Sequence, residues 1–252
     1  GQQRIDLESL SGSLQRPLKL PDLRLSGAFS IAQAALEVAG IEAFWKGSRL
    51  SLTGSITDLA SPRMELLLGM DDFDLKALGE LFGESRLRGS LGGQLKIQGP
   101  PAALFAKGEL ELGGARIRIL ELALDPALGE LGHRIRVGVT DLALSELLDV
   151  PAELPPKVTG SVVWSGSRSS ASGLTGELEL TFDPLKIGVS EVELRRALLG
   201  LRGDLVELRA LSAAVAGGRL SAVGSSSLQS GDFSLDVEAN FDSLTELGES
   251  LG

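Results

Sequence analysis

The residues able to do chemistry are few in this chain, and they do not converge. His133 is the only histidine, and cysteine is absent. A lone imidazole with no thiol and no second imidazole has no zinc set to complete and no Cys–His pair to join. At the head of HRIRVGV it reads as a strand-end residue. Asp71, Asp72 and Asp74 form an acidic knot in MDDFDL. Paired carboxylates are the raw material of general acid–base catalysis. The same letters also describe a strand end running into a helix cap, because Asp is a favoured N-cap and Leu75 and Leu78 follow at helical spacing. Trp45 and Trp164 lie in strand-like runs and read as packing residues. There is no Walker loop, no G-x-G-x-x-G fingerprint and no H-E-x-x-H helix. The expectation is a protein that is not an enzyme and carries no cofactor and no metal.

If the chemistry is not catalytic, the elements must carry the function. The chain has 252 residues, 43% of them hydrophobic, but only 4% aromatic and with no Tyr. Leu, Ala, Val and Ile can coat a surface; they provide few large anchors for a deep core. The net charge of −10 and pI near 4.8 argue against a nucleic-acid partner, which requires clustered Lys and Arg. The charge is spread through the chain rather than gathered in a tail, as on a solvated face. No run of 18 or more apolar residues occurs, so no segment reads as a membrane-spanning helix. With neither a signal peptide nor an initiator Met at its start, the chain reads as mature, trimmed or a fragment.

Internal repetition organises the rest. GSRLSLTG begins at position 47 and GGRLSAVG at 217, 170 residues apart. At that offset LEVAGIEAFWKGSRLSLTGS (36–55) lies over VELRALSAAVAGGRLSAVGS (206–225) without a gap. One residue is then dropped, and MELLLGMDDFDLKALGE (64–80) lies over FSLDVEANFDSLTELGE (233–249). A second pairing sets KGELEL (107–112) over TGELEL (175–180). Such self-similarity marks a repeating architecture.

Within the repeats the dominant signal is alternation with period two, the mark of a strand with one wet and one apolar face. The apolar set comprises Leu50 and Leu52; Leu66, Leu68 and Met70; Leu95 and Ile97; Leu110 and Leu112; and Ile117 and Ile119. It continues with Ile135, Val137 and Val139; Leu178, Leu180 and Phe182; Leu220; and Phe233, Leu235 and Val237. The Ala-rich stretch 28–44 has helical composition, but its repeat partner alternates and leads into Gly, so both are expected to be strands. Strand ends recurring about every ten residues imply roughly 15 strands. Short helices are expected at 74–83, 141–151 and 242–252, each opening with Asp and carrying paired Leu at helical spacing. The expected layout is an edge or lead-in segment (1–23) with two prolines, a first repeat region (24–113) and a second (114–252), in one continuous sheet.

This order of elements resembles the AsmA-like proteins, including the TamB branch, related to the bridge-like lipid transfer proteins. The letters that carry the resemblance are DFDLKALGELFGESRLRGSLGGQLKIQGPPAALFAKGELEL (72–112), returning loosely as DLALSELLDVPAELPPKVTGSVVWSGSRSSASGLTGELEL (141–180). The resemblance implies an all-β fold: a long curved antiparallel sheet forming an open hydrophobic groove, with short crossover helices. It implies a periplasmic segment of a lipid-transport bridge between inner and outer membrane, inner-membrane anchored in the full-length protein. The alternating apolar residues named above would line the groove against phospholipid acyl chains, and protein partners would meet the sheet edges. A structural or assembly component of the envelope, similar to protein N of type II secretion, is the alternative implied by the same grammar. About 15 strands at ~4.8 Å spacing would extend ~70 Å, the size of a partial bridge. The apolar face must meet either a second sheet, as in a sandwich, or acyl chains.

Overall fold

A computed structural model describes residues 3–14, 20–32, 34–81, 88–125, 132–143, 157–169, 173–183, 185–187, 190–215, 218–227 and 229–241. They form sixteen strands, one short α-helix and one turn of 3-10 helix. The chain divides into two compact units, which among the described residues meet in sequence at Ala123 and Leu124. The first holds β1 (Gln3–Leu14), β2 (Leu20–Ala32), β3 (Ala35–Trp45), β4 (Ser48–Thr57), β5 (Arg63–Asp74), α1 (Leu75–Leu81), β6 (Ser90–Gly99), β7 (Phe105–Leu112) and β8 (Ala115–Leu124). The second holds β9 (His133–Leu142), β10 (Val158–Ser169), β11 (Gly173–Phe182), β12 (Leu185–Ile187), β13 (Ser190–Arg202), β14 (Leu205–Val215), β15 (Gly218–Ser227) and β16 (Phe233–Asn240).

Each unit is an antiparallel meander in which strands meet their neighbours in sequence, with β11 pairing β13 and the short β12 folded onto β13. The fold is thus all-β, as the alternation predicts. Within each unit the described strands pack edge to edge, and among the described residues no second sheet lies against either face. Neither meander closes on itself. The two faces are nevertheless unequal. Along β7, Ala106, Leu110 and Leu112 are buried while Phe105, Lys107, Glu109 and Glu111 are exposed. In a flat single layer both faces would be equally wet, so the sheet curls towards its apolar side.

Bulges set that curl. In β3 the pairs Ala39–Thr53 and Ile41–Leu52 leave Gly40 as one extra residue, with φ at 107°. The extra residue resets the alternation, so Leu36, Val38, Ile41, Ala43 and Trp45 all share a face. It also explains the helical look of 28–44: apolar residues spaced by two, then three, then two mimic a helical stripe. Gly27 of β2 runs so close to this bulge that a Cβ would collide with the carbonyl of Gly40 and the Cα of Ile41.

The sequence repeat is a repeat of register. Shifted by 170, the β3–β4 pairs Leu36–Ile56, Val38–Gly54, Ile41–Leu52 and Ala43–Leu50 become the β14–β15 pairs Val206–Ser226, Leu208–Gly224, Leu211–Ala222 and Ala213–Leu220. The bulge recurs between Leu208 and Leu211. The β4–β5 pairs return in β15–β16 with the one-residue drop: Arg49–Asp71 becomes Arg219–Asn240, and Leu50–Met70 becomes Leu220–Ala239. Gly54 and Gly224 answer why the octapeptide is written twice. A Cβ on Gly54 would strike the carbonyl oxygen of Glu65, and one on Gly224 the carbonyl oxygen of Ser234, which occupies the same place in the repeat.

Of the three expected helices, α1 forms within 74–83 and opens on Asp74, whose Oδ1 accepts from the Lys76 N–H at 2.8 Å. The other two, expected at 141–151 and 242–252, lie outside the described residues from 144 and from 242 onward. Asp141, expected as a helix cap, lies instead in β9 at positive φ (57°) in a bulge. Its backbone N–H donates to Thr159 Oγ1 at 3.0 Å.

Candidate functional site: the apolar faces

In the first unit the register places Leu50, Leu52, Leu66, Leu68, Met70, Leu95, Ile97, Leu110, Leu112, Ile117 and Ile119 on one face. Cross-strand rows run unbroken, for example Ile41–Leu52–Leu68–Leu95–Gly108–Ile119. In the second unit Ile135, Val137 and Val139 face Trp164, Val162 and Gly160, which in turn face Leu178, Leu180 and Phe182. Leu220 shares a face with Ala239, and Phe233, Leu235 and Val237 lie on the same side of β16. All 21 residues singled out by alternation therefore fall on the apolar face of their own unit.

Sequence reasoning missed residues wherever a bulge breaks the period. Leu36, Val38, Ile41 and Trp45 belong to the first face. So does Phe73, because two residues of β5 are accommodated between the pairs Met70–Gly93 and Phe73–Leu91, opposite one on β6. Leu122 joins it through an extra residue in β8. In the second unit Leu199, Leu201, Val206, Leu208 and Leu211 were missed. The signal that would have found them is the internal repeat itself: the spacing of Leu36, Val38 and Ile41 returns as Val206, Leu208 and Leu211.

The first face is dry at one end. Leu112, Ala115 and Ser48 are each 1% exposed, and Trp45, Leu75 and Ala77 are buried too. Here the tight turn at Lys46 and Gly47, the start of α1 and the β7–β8 turn come together. Trp45 and Phe73 rings lie 6.5 Å apart, and Lys46 bonds Glu80 of α1 at 2.8 Å. Ser48 Oγ accepts the Asp74 N–H at 2.9 Å, which satisfies a backbone donor beside the bulge. The Trp45 Nε1–H is buried with no hydrogen-bond partner among the described residues. Elsewhere the face is mostly half-buried, with Val38, Ala106 and Leu110 buried within it.

Charge is confined almost entirely to the opposite face. Arg49 pairs with Glu42, Lys96 with Glu65 at 2.9 Å, Arg118 with Glu109 at 3.2 Å, Arg196 with Glu179 at 2.7 Å, and Arg209 with Glu177. These are exposed cross-strand pairs, each worth little in water, but they cover the wet side and leave the apolar rows uncharged. The Lys96 ammonium holds the Glu65 carboxyl below its ordinary range, and Lys46 does the same for Glu80. Asp71 and Asp72 lie in the β5 bulge, Asp72 at φ 49°. They border an open depression with Glu109, Glu111 and Arg116. No group of His, Asp and Glu is placed to hold a metal among the described residues. His133 lies on the apolar side, its ring 5.9 Å from that of Trp164.

Such a surface can shelter hydrocarbon: continuous aliphatic rows with no acidic residue within them among the described residues. Comparison with models of protein families, with curated proteins and with solved structures gives no match to this chain.

Proposed function

We propose that the apolar faces shield lipid acyl chains, and that the protein works as a segment of a periplasmic lipid-transport bridge between the two membranes of a cell envelope. The observation that carries this reading is the apolar face itself: aliphatic rows continuous across neighbouring strands, with no second sheet over them among the described residues. An apolar area of that extent needs a cover in water. Burying one CH₂ is worth about 0.8 kcal/mol, so two lipid tails gain on the order of 25 kcal/mol over water. A bilayer offers the same gain, so a carrier needs no large net affinity. It has to lower the barrier of bringing tails into water. Uncharged rows suit that task, because an acyl chain sliding along them meets no charge to desolvate.

The test is photocrosslinking in cells. A photoreactive residue at Leu68, Ile117, Val137, Leu180 or Leu235 is expected to capture lipid. At the opposite-face positions Arg118, Arg136, Glu179 and Asp236 it is expected to capture none. Equal capture from both faces, or none from either together with no lipid co-purified from gentle extraction, overturns the reading and favours a scaffold that assembles envelope proteins.

A further inference from the structure

The two copies of the repeat differ on the charged face, opposite the aliphatic rows. In the second unit the row Glu177–Gly200–Glu207–Ser225 crosses β11, β13, β14 and β15. Arg209 lies back over this row. Its guanidinium rests against Gly200, where a Cβ would come within 2.9 Å of Nε, Cζ and Nη2. It pairs with Glu207 at 3.4 Å and also with Glu177. One arginine thus bridges two carboxylates across a glycine.

Shifted back by 170, the same register gives the row Ser30–Glu37–Ser55 in the first unit. The carboxylate and the last serine are kept, but the large side chains around them are not. In place of Arg202, Leu205 and Arg209 stand Ala32, Ala35 and Ala39. An open depression of about 450 Å³ lies there, lined by Ser30, Ala32, Ala35, Glu37 and Ser55 among others. Among the described residues Glu37 accepts from the Ser30 hydroxyl at 3.5 Å and meets no cation. β1 sets Arg4 opposite Ser30, at the place that Glu177 takes in the second unit, so the chain's own arginine is the rival occupant.

We propose that this depression binds an arginine side chain of a partner polypeptide, as the second unit binds its own Arg209. The Glu37 carboxylate pairs with the guanidinium, and the Ser30 and Ser55 hydroxyls accept from its remaining N–H groups. Ser30 has the Cβ that Gly200 lacks, so the planar group sits towards Ala32 and Ala35, whose small side chains leave it room. A partner held this way leaves the apolar face clear. The proposal stands independently of the lipid reading, since it rests on the comparison of the two copies alone.

The test is an NMR titration of the full chain with N-acetylarginine amide, whose guanidinium is its only charge. The neutral N-acetylcitrulline amide is the control. The arginine probe is expected to give saturable shifts at the Glu37 and Ser55 amides and none at Glu207 and Ser225, where Arg209 already holds the place. Glu37→Gln is expected to weaken binding about tenfold, the loss of a charge-assisted pair. Arg209→Ala is expected to open the second site, so that Glu207 and Ser225 shift as well. Ala39→Arg is expected to close the first. The amide spectrum of each variant shows whether the fold is kept, and if Ala39→Arg does not fold, Glu37→Gln and Arg209→Ala carry the test. Equal shifts with the citrulline probe, no saturable shift at Glu37, or binding there that appears only in Arg4→Gln would overturn the proposal, the last by assigning the site to the chain's own Arg4.

Discussion

Two aspartates placed on the same face test whether that face is open. Leu112 is 1% exposed, in a row with Leu91 and Ala115 at the α1 end. Leu52 is half-buried in mid-face between Ile41 and Leu68. Truncating a buried Leu costs about 2–5 kcal/mol, and burying an unpaired carboxylate adds several more. Leu112→Asp therefore takes most of the ~5–15 kcal/mol that a typical fold has to spare, and the chain is expected to be largely unfolded. Leu52 is half-buried and no second sheet lies over it among the described residues, so the carboxylate keeps its water. The cost is then about half the ~1.5–3 kcal/mol of fully burying a Leu, on the order of 0.8–1.5 kcal/mol. At ~2–4 °C per kcal/mol for a chain of this size, Tm falls by only about 2–6 °C. Urea and thermal unfolding followed by Trp fluorescence and far-UV circular dichroism separate the two. In vesicle-to-vesicle lipid transfer, an acyl chain passing Asp at position 52 must strip its hydration. A barrier of even ~3 kcal/mol would slow transfer by roughly a hundredfold. Val137→Asp is the matching variant in the second unit. If Leu52→Asp unfolds as completely as Leu112→Asp, the face is a closed core and the argument fails. If Leu52→Asp and Val137→Asp both stay folded and transfer lipid at the parental rate, conduction along the face is refuted.

Gly54→Ala and Gly224→Ala are each expected to cost about 1–3 kcal/mol, because both collide with the backbone of the next strand; parental unfolding curves for both would show that the repeat does not need glycine there. Ser48→Ala leaves the Asp74 N–H without its acceptor in a buried setting and is expected to cost about 1–3 kcal/mol, with faster amide exchange at Asp74 as the site-specific readout. Glu65 has a folded pKa lowered by Lys96, so its contribution is present above the ordinary value of 4.5 and is lost as pH falls through the lower folded value. Lys96→Met is expected to raise the Glu65 pKa in an NMR titration and to remove that part of the acid sensitivity below pH 4.5; an unmoved pKa contradicts the pairing.

What was legible in the sequence follows from local physics. Strands such as ARIRI and GELELTF keep a strict period of two, so Ile117, Ile119, Leu178 and Leu180 announce their face directly. The Leu36–Trp45 row was not legible, because one extra residue at Gly40 shifts every later side chain to the other parity. The same limit hid Phe73 and Leu122. The dry end around Leu112 was also unreadable: its burial depends on α1 and two turns meeting in space, and alternation assigns Leu110 and Leu112 the same role. The acidic knot looked like either a catalytic pair or a cap. Asp74 does cap α1, while Asp72 sits at the positive φ of a bulge.

The edge-to-edge architecture of each unit has a consequence for how the chain acquires its shape and its length. Within each unit the described strands pair with their neighbours in sequence, with β11 reaching past the short β12 to β13, so no distant part of the chain has to arrive first. Loop closures are short, and low contact order favours rapid assembly that can start at any hairpin and zip outward. The same locality means that a hairpin added or deleted disturbs two neighbours and nothing beyond. A sheet built this way can be lengthened by duplication without redesigning a core, and the 170-residue repeat, copied pair for pair, has the form such a duplication would leave.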